Sequence, residues 1–297
     1  MNALSRSLLI FFSTCLALAA CSQEGPSWNQ VQTVEDRLHA VEGFNQPEAV
    51  RYDPQQDLWF VSSFNGGGSA QDSNGYISTV RPDGEIASML FISGTDQAPL
   101  HAPRGMYISG DTLWVADVLG VHAFHRESGN QLAFVDFRRY TPGFLNDVTE
   151  GSDGAIYVTD TGNATVYRIQ NLQVTGAVDS LEAPPNGITR NPATGELVLA
   201  PWGGLRTFYA LADGPEPVVF AEAQSGGNFD GIEFRYNRLI AASQADSSLH
   251  VLSDGTDRVY IELPGRPADI GIDTRRNRVA VPYIALNRVD IWQLPGN

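Results

Sequence analysis

Short apolar runs, each broken off by turn residues, recur along almost the whole chain and come in groups of four. Residues 105–137 show the unit. Its runs are Gly105-Met106-Tyr107-Ile108, Thr112-Leu113-Trp114-Val115-Ala116, Val121-His122-Ala123-Phe124 and Leu132-Ala133-Phe134-Val135-Asp136-Phe137, with reversals at Gly110-Asp111 and Ser128-Gly129-Asn130. Val, Ile, Tyr, Phe and Trp suit a pleated strand, and Gly, Asp and Asn suit tight turns, so each group predicts a four-stranded antiparallel sheet. No longer stretch carries a sustained helical period.

The groups also begin alike. Their opening phrases are Pro47-Glu48-Ala49-Val50, Pro103-Arg104-Gly105-Met106, Leu145-Asn146-Asp147-Val148, Pro185-Asn186-Gly187-Ile188, Phe229-Asp230-Gly231-Ile232 and Ala268-Asp269-Ile270. Successive phrases lie about 40 residues apart, the period of a propeller blade. The predicted fold is therefore all-β, a six-bladed β-propeller with four-stranded blades. The last group has three runs, ending in Arg288-Val289-Asp290-Ile291-Trp292. The run Asp36–Val41 resembles Asp257-Arg258-Val259-Tyr260, which closes the fifth group, and is expected to supply the missing strand and hide an open edge.

In such a ring, the loop leading into each innermost strand and the loop joining the second and third strands share one end. The second residue of each phrase then faces the pore: Glu48, Arg104, Asn146, Asn186, Asp230 and Ala268. Two carboxylates and two amides, from Glu48, Asn146, Asn186 and Asp230, converge there. An all-oxygen set suits a hard cation, Ca²⁺ first and Mg²⁺ or Mn²⁺ next, although a polar channel holding water accommodates the same side chains. Asp147 and Asp269, one residue further on, are expected to orient the ligands. Arg104 is expected either to bind an anionic substrate group or to pair with Glu48 or Asp147 across the pore. His101, Asp117, Trp202, Gln244 and Tyr283 stand at the same end as candidate substrate contacts. His101 reads as an exposed side chain or as a proton shuttle, and Trp202 and Tyr283 read equally as rim packing. The Gly-rich loop 64–74 reads as a flap over the mouth or as surface excess.

Composition narrows the field. The 297 residues carry a formal charge of −15, and every basic residue is Arg. Such a surface argues against nucleic acid and against attachment to anionic lipid through basic residues, and it excludes Schiff-base chemistry by lysine. Residues 1–20 read as a signal peptide, with Arg6 ahead of an apolar run from Leu8 to Ala20. The junction Leu18-Ala19-Ala20-Cys21 resembles a bacterial lipobox, which implies a lipidated Cys21, a tether over 21–30 and the propeller over 31–297. Ser22 implies the outer membrane, facing the periplasm, with lipid as the only membrane contact. Cys15 leaves with the signal, so no disulfide or thiolate chemistry is available within the mature chain. No zinc-protease, serine-hydrolase, phosphate-loop or EF-hand motif occurs.

The order Glu, Asn-Asp, Pro-Asn-Gly, Asp-Gly, each from a different blade, resembles the senescence marker protein/regucalcin/gluconolactonase family. The quartet is similar to that of diisopropyl fluorophosphatase and, more distantly, to that of the paraoxonases. The resemblance runs from about residue 31 to the end. It implies a central Ca²⁺ held by Glu48, Asn146, Asn186 and Asp230, with Asp230 as base or nucleophile toward a lactone, ester or phosphoester. Two departures stand out. Phe144 occupies the place where lactonases of the family commonly have Arg, and the first phrase lacks the pattern Glu-Gly-Pro-x-Trp. Two functions are therefore expected. One is a monomeric metal-dependent hydrolase of the lactonase, esterase or phosphotriesterase type. The other is a non-catalytic propeller that holds a partner protein or glycan.

Overall fold

The recurrent groups of runs form six four-stranded antiparallel sheets, and each places its opening phrase at or just before the innermost strand. The structure is a computed structural model that describes residues 26–211 and 216–296. The signal peptide and Cys21 lie outside the described residues. Blades 1 to 5 occupy residues 47–93, 106–136, 145–178, 185–222 and 229–262. Blade 6 joins Gly271–Asp273, Arg278–Tyr283 and Arg288–Gln293 to the N-terminal strand His39–Glu42. That strand pairs from His39 opposite Ile291 to Glu42 opposite Arg288. It starts three residues later than expected, because Val34–Asp36 forms a 3-10 turn closed by the Asp36 carboxylate on the Thr33 N–H at 2.8 Å.

Trp28, expected to lie outside the propeller, packs onto it. It is only 8% exposed, stacks 5.1 Å from Tyr260 and donates its indole N–H to the carbonyl of Gly296. Among the described residues no helix is long and apolar enough to cross a membrane.

The core lies between blades. Val50, Trp59 and Val61 of blade 1 pack against Ala280, Val289 and Ile291 of blade 6, and Val198 and Phe208 of blade 4 against Phe229, Ile232 and Leu239 of blade 5. Each strand buries alternate side chains against the next sheet, so a blade alone would leave its apolar faces wet.

The innermost strands are irregular where the phrases begin. Register breaks at Pro47/Ala49, Leu145/Val148, Pro185/Ile188 and Phe229/Ile232. Such bulges re-aim a side chain and unpair a backbone group. The freed N–H groups find hydroxyls on the second strand: Ala49 donates to Ser62 Oγ at 3.0 Å, and Asp147 to Thr159 Oγ1 at 2.9 Å. Thr159 in turn donates to the carbonyl of Asn186 at 2.6 Å, which fixes blade 3 against blade 4.

The recurrent Gly of the phrases serves this packing. A Cβ on Gly187 would stand 2.4 Å from the carbonyl oxygen of Asp230, and one on Gly231 would stand 2.2 Å from the Asp269 carboxylate. The inner strands of adjacent blades approach too closely there for any side chain.

Candidate active site

The bulges bring Glu48, Asn146, Asn186 and Asp230 to the floor of one cavity of about 440 Å³. All four are buried. Each keeps one buried oxygen with no hydrogen-bond partner: Glu48 Oε2, Asn146 Oδ1, Asn186 Oδ1 and Asp230 Oδ1. Their remaining polar atoms are engaged where partners exist. Asn146 donates through Nδ2 to Thr161 Oγ1 at 3.1 Å, which turns its amide oxygen to the cavity, and Gln244 donates to Asp230 Oδ2 at 2.7 Å. An unpartnered buried oxygen is costly, and four in one cavity call for a shared cation or donor. Among the described residues no three or more His, Cys, Asp or Glu side chains gather in metal-holding geometry. The quartet supplies two carboxylates and two neutral amides instead, a donor set that fits a hard divalent cation.

The electrostatics agree. Burial pushes the Asp230 carboxyl up to about 7, with the hydrogen bond from Gln244 pulling it down and the charge of Asp147 adding to the rise. Burial, then the neighbouring Asp230 charge, raises Glu48 well above the ordinary glutamate range, while Arg104 pulls the other way. Burial pushes Asp147 up to about 7 against the pull of Arg51 and of two backbone N–H groups. Asp269, with neither oxygen partnered, is raised well above the aspartate range by burial and then by Asp147. Below the quartet, Arg51 pairs with Glu233 and donates through Nε to the carbonyl of Met106 at 2.6 Å. The pore thus holds the carboxyls of Glu48, Asp147, Asp230, Asp269 and Glu233 against the guanidinium groups of Arg51 and Arg104. At Glu48, Asp147, Asp230 and Asp269 burial and like charge oppose ionisation, and a bound cation would relieve both.

The other predicted residues distribute unevenly. Trp202 and Gln244 line the cavity. Asp147 acts through backbone, accepting from Val148 N at 2.7 Å and from Ile188 N at 2.8 Å, two residues past Asn186. Asp269 makes no side-chain hydrogen bond to any member of the quartet.

Arg104 makes none of the expected pairs with Glu48 or Asp147. It is 1% exposed, donates to the carbonyls of Leu145 at 2.8 Å and of Gly68, and lies 3.8 Å from the ring centre of Phe144. Its guanidinium therefore bridges the 64–74 loop to blade 3. That loop is fastened elsewhere too, through Asn65 N to the Asn45 carbonyl and Ser73 N to His101 Nδ1.

His101, Asp117 and Tyr283 lie off the cavity. The Asp117 carboxylate anchors the loop into blade 2 by accepting from His101 N at 2.9 Å and Ala102 N at 2.7 Å. His101 is buried beside it, lining a separate recess of about 170 Å³. Tyr283 is part of the core between blades 5 and 6.

The misplacement of Asp117 and Tyr283 has one cause. The cavity is lined by the residue just after the second strand ends, namely Phe64, Thr161, Trp202, Gln244 and Ile284. Asp117 and Tyr283 are the last residues of their strands, and a shift of one residue reverses the facing side. Arg51 and Glu233 were missed although both lie three residues past a quartet member, at the same step of two phrases.

No protein-family model and no curated protein sequence matches the chain. Solved structures do. A gluconolactonase from Xanthomonas campestris is 18% identical, with a TM-score of 0.65 over 88% of this chain and 92% of that one. A calcium-binding protein, regucalcin, from Agrobacterium tumefaciens is 16% identical, with a TM-score of 0.65 over 88% and 94%. A virginiamycin B lyase from Staphylococcus aureus is 12% identical, with a TM-score of 0.62 over 86% and 98%. At these identities the likeness is one of fold: the chain is a six-bladed β-propeller, built like gluconolactonase and regucalcin structures.

Proposed function

We propose that the protein is a divalent-metal-dependent hydrolase of the lactonase, esterase or phosphotriesterase type, with Ca²⁺ as its metal. The observation that carries this reading is the set of four unpartnered buried oxygens in one cavity. The likeness in fold to proteins described as a gluconolactonase and as calcium-binding supports it. Glu48, Asn146, Asn186 and Asp230 would hold the ion, which supplies Lewis-acid polarisation of a substrate oxygen.

The remaining chemistry belongs to the chain. Gln244 fixes Asp230 through Oδ2 and leaves Oδ1 directed to the cavity, where it takes the proton of an attacking water or attacks directly. We propose a monomer as the working unit. Titration calorimetry tests the reading. Ca²⁺ should bind saturably to the parent, and Asp230→Asn and Glu48→Gln should each weaken it about tenfold or more. No saturable binding of Ca²⁺, Mg²⁺ or Mn²⁺ would overturn it and leave the ring as a platform for a protein or glycan.

We further propose that the chain is held at the outer membrane, facing the periplasm, by a lipid on Cys21. The run Leu18-Ala19-Ala20-Cys21 supports this. Labelling with a clickable palmitate in a bacterial host should mark the parent and not Cys21→Ser; equal labelling of both would refute it.

A further inference from the structure

The walls of the cavity bear on what it admits. Above the quartet stand Phe64, Phe144, Trp202 and Ile284, from blades 1, 3, 4 and 6 or the loops attached to them. Two of the remaining polar side chains at the cavity, Thr161 and Gln244, are already engaged. Thr161 donates to the Pro185 carbonyl at 2.7 Å and accepts from Asn146, and Gln244 is bound to Asp230. The lining includes no cationic side chain. Arg104 spends its terminal nitrogens on the carbonyls of Leu145 and Gly68, and its guanidinium lies 3.8 Å from the ring centre of Phe144 and 5.9 Å from that of Phe64. A substrate bearing several hydroxyls would surrender more water to these four apolar walls than it could regain from the few polar groups among them, whereas a hydrocarbon would gain by leaving water.

We propose that this cavity selects a neutral carboxylic ester or lactone carrying an alkyl or aryl group. Phe64, Phe144, Trp202 and Ile284 are its specificity-determining walls, and Arg104 is the positioning residue that holds two of them. The inference rests on the hydrolase reading above. In the reaction, water adds its oxygen to the carbonyl carbon and the carbon–oxygen ester bond breaks. The departing alkoxide takes a proton, and the products are a carboxylic acid and an alcohol, joined in one hydroxy acid when the substrate is a lactone.

The test uses the full chain saturated with Ca²⁺ and two δ-lactams, which resist hydrolysis: one bearing a pentyl chain and glucono-δ-lactam. Calorimetry should show the pentyl lactam binding at least about tenfold tighter. Trp202→Ala should weaken it by about fivefold or more without changing Ca²⁺ affinity, and Trp202→Phe should restore most of the loss. Equal or tighter binding of glucono-δ-lactam, or binding of neither, overturns the proposal. Turnover separates it from the reading beneath it. If the pentyl lactam binds as expected and δ-decanolactone is not hydrolysed, the hydrolase reading fails and the apolar selectivity stands. If δ-decanolactone is hydrolysed no faster than glucono-δ-lactone, the selectivity fails and the hydrolase stands.

Discussion

Asp230 and His250 are both buried beside carboxylates, and their surroundings drive them in opposite senses. Asp230 has burial and a like charge against it and rises to about 7. For His250, burial lowers the pKa, but hydrogen bonds and charge from Asp257 at 2.7 Å and Asp246 at 3.0 Å outweigh it and raise the group above the ordinary value of 6.5. The carboxylates are lowered below 3.8, with the bond from His250 among the causes, and Asp257 also accepts from Gln224 N and Ser225 N. Linkage then sets the window. The histidine's contribution is full below about 6.5 and fades as pH rises through its folded pKa; that of the carboxylates is present above about 3.8 and lost in acid. His250→Asn should therefore lower Tm most near pH 5 to 6 and much less near pH 9, as thermal melts across pH would show; a deficit independent of pH would refute the charged cluster. The quartet was legible in the sequence because the period alone aligns the second residue of every phrase. The place of Arg104 was not, because Phe144 and Gly68 reach it from loops whose course no period encodes.

Among elements, the bulged inner strand decides where the quartet's side chains go. A regular strand would alternate its residues between the two neighbouring blades; the break at each phrase lets the second residue face the pore axis instead. Apolar alternation carries no sign of these breaks, since the phrases interrupt it with Asn, Asp and Gly, the residues that also build ordinary turns. Close approach of inner strands accounts for the glycines better than turn geometry does. Gly187→Ala puts a carbon against the Asp230 carbonyl, and equilibrium urea unfolding should show a loss of about 1–3 kcal/mol. Full retention of stability would mean that the inner strands yield more easily than their packing implies. The 64–74 loop, read from length alone as flap or surplus, proves to be tied to residues 45 and 46, to His101 and to Arg104. Length and glycine content could not reveal those ties, because each partner lies in a different stretch of the chain.

For the whole molecule, closure matters most. His39–Glu42 covers the outer edge of the last blade, which would otherwise expose a row of unpaired amides and carbonyls. The sequence disclosed this joint through a missing fourth run, and it disclosed the blade count through the period. It did not disclose that Trp28 belongs to the ring, because a short polar stretch with one Trp reads as tether until Tyr260, Arg238 and Gly296 are brought around it. That contact also orients the particle. Arg238, whose guanidinium lies 5.1 Å from the Trp28 ring, begins a strand that ends at Ser243, and the next residue, Gln244, faces the cavity. Trp28 is thus packed at the end of the ring away from the opening, roughly 17–20 Å of strand from it. On the lipid anchor proposed at Cys21, the attachment would then lie toward the end of the ring opposite the cavity, and the mouth would be left clear.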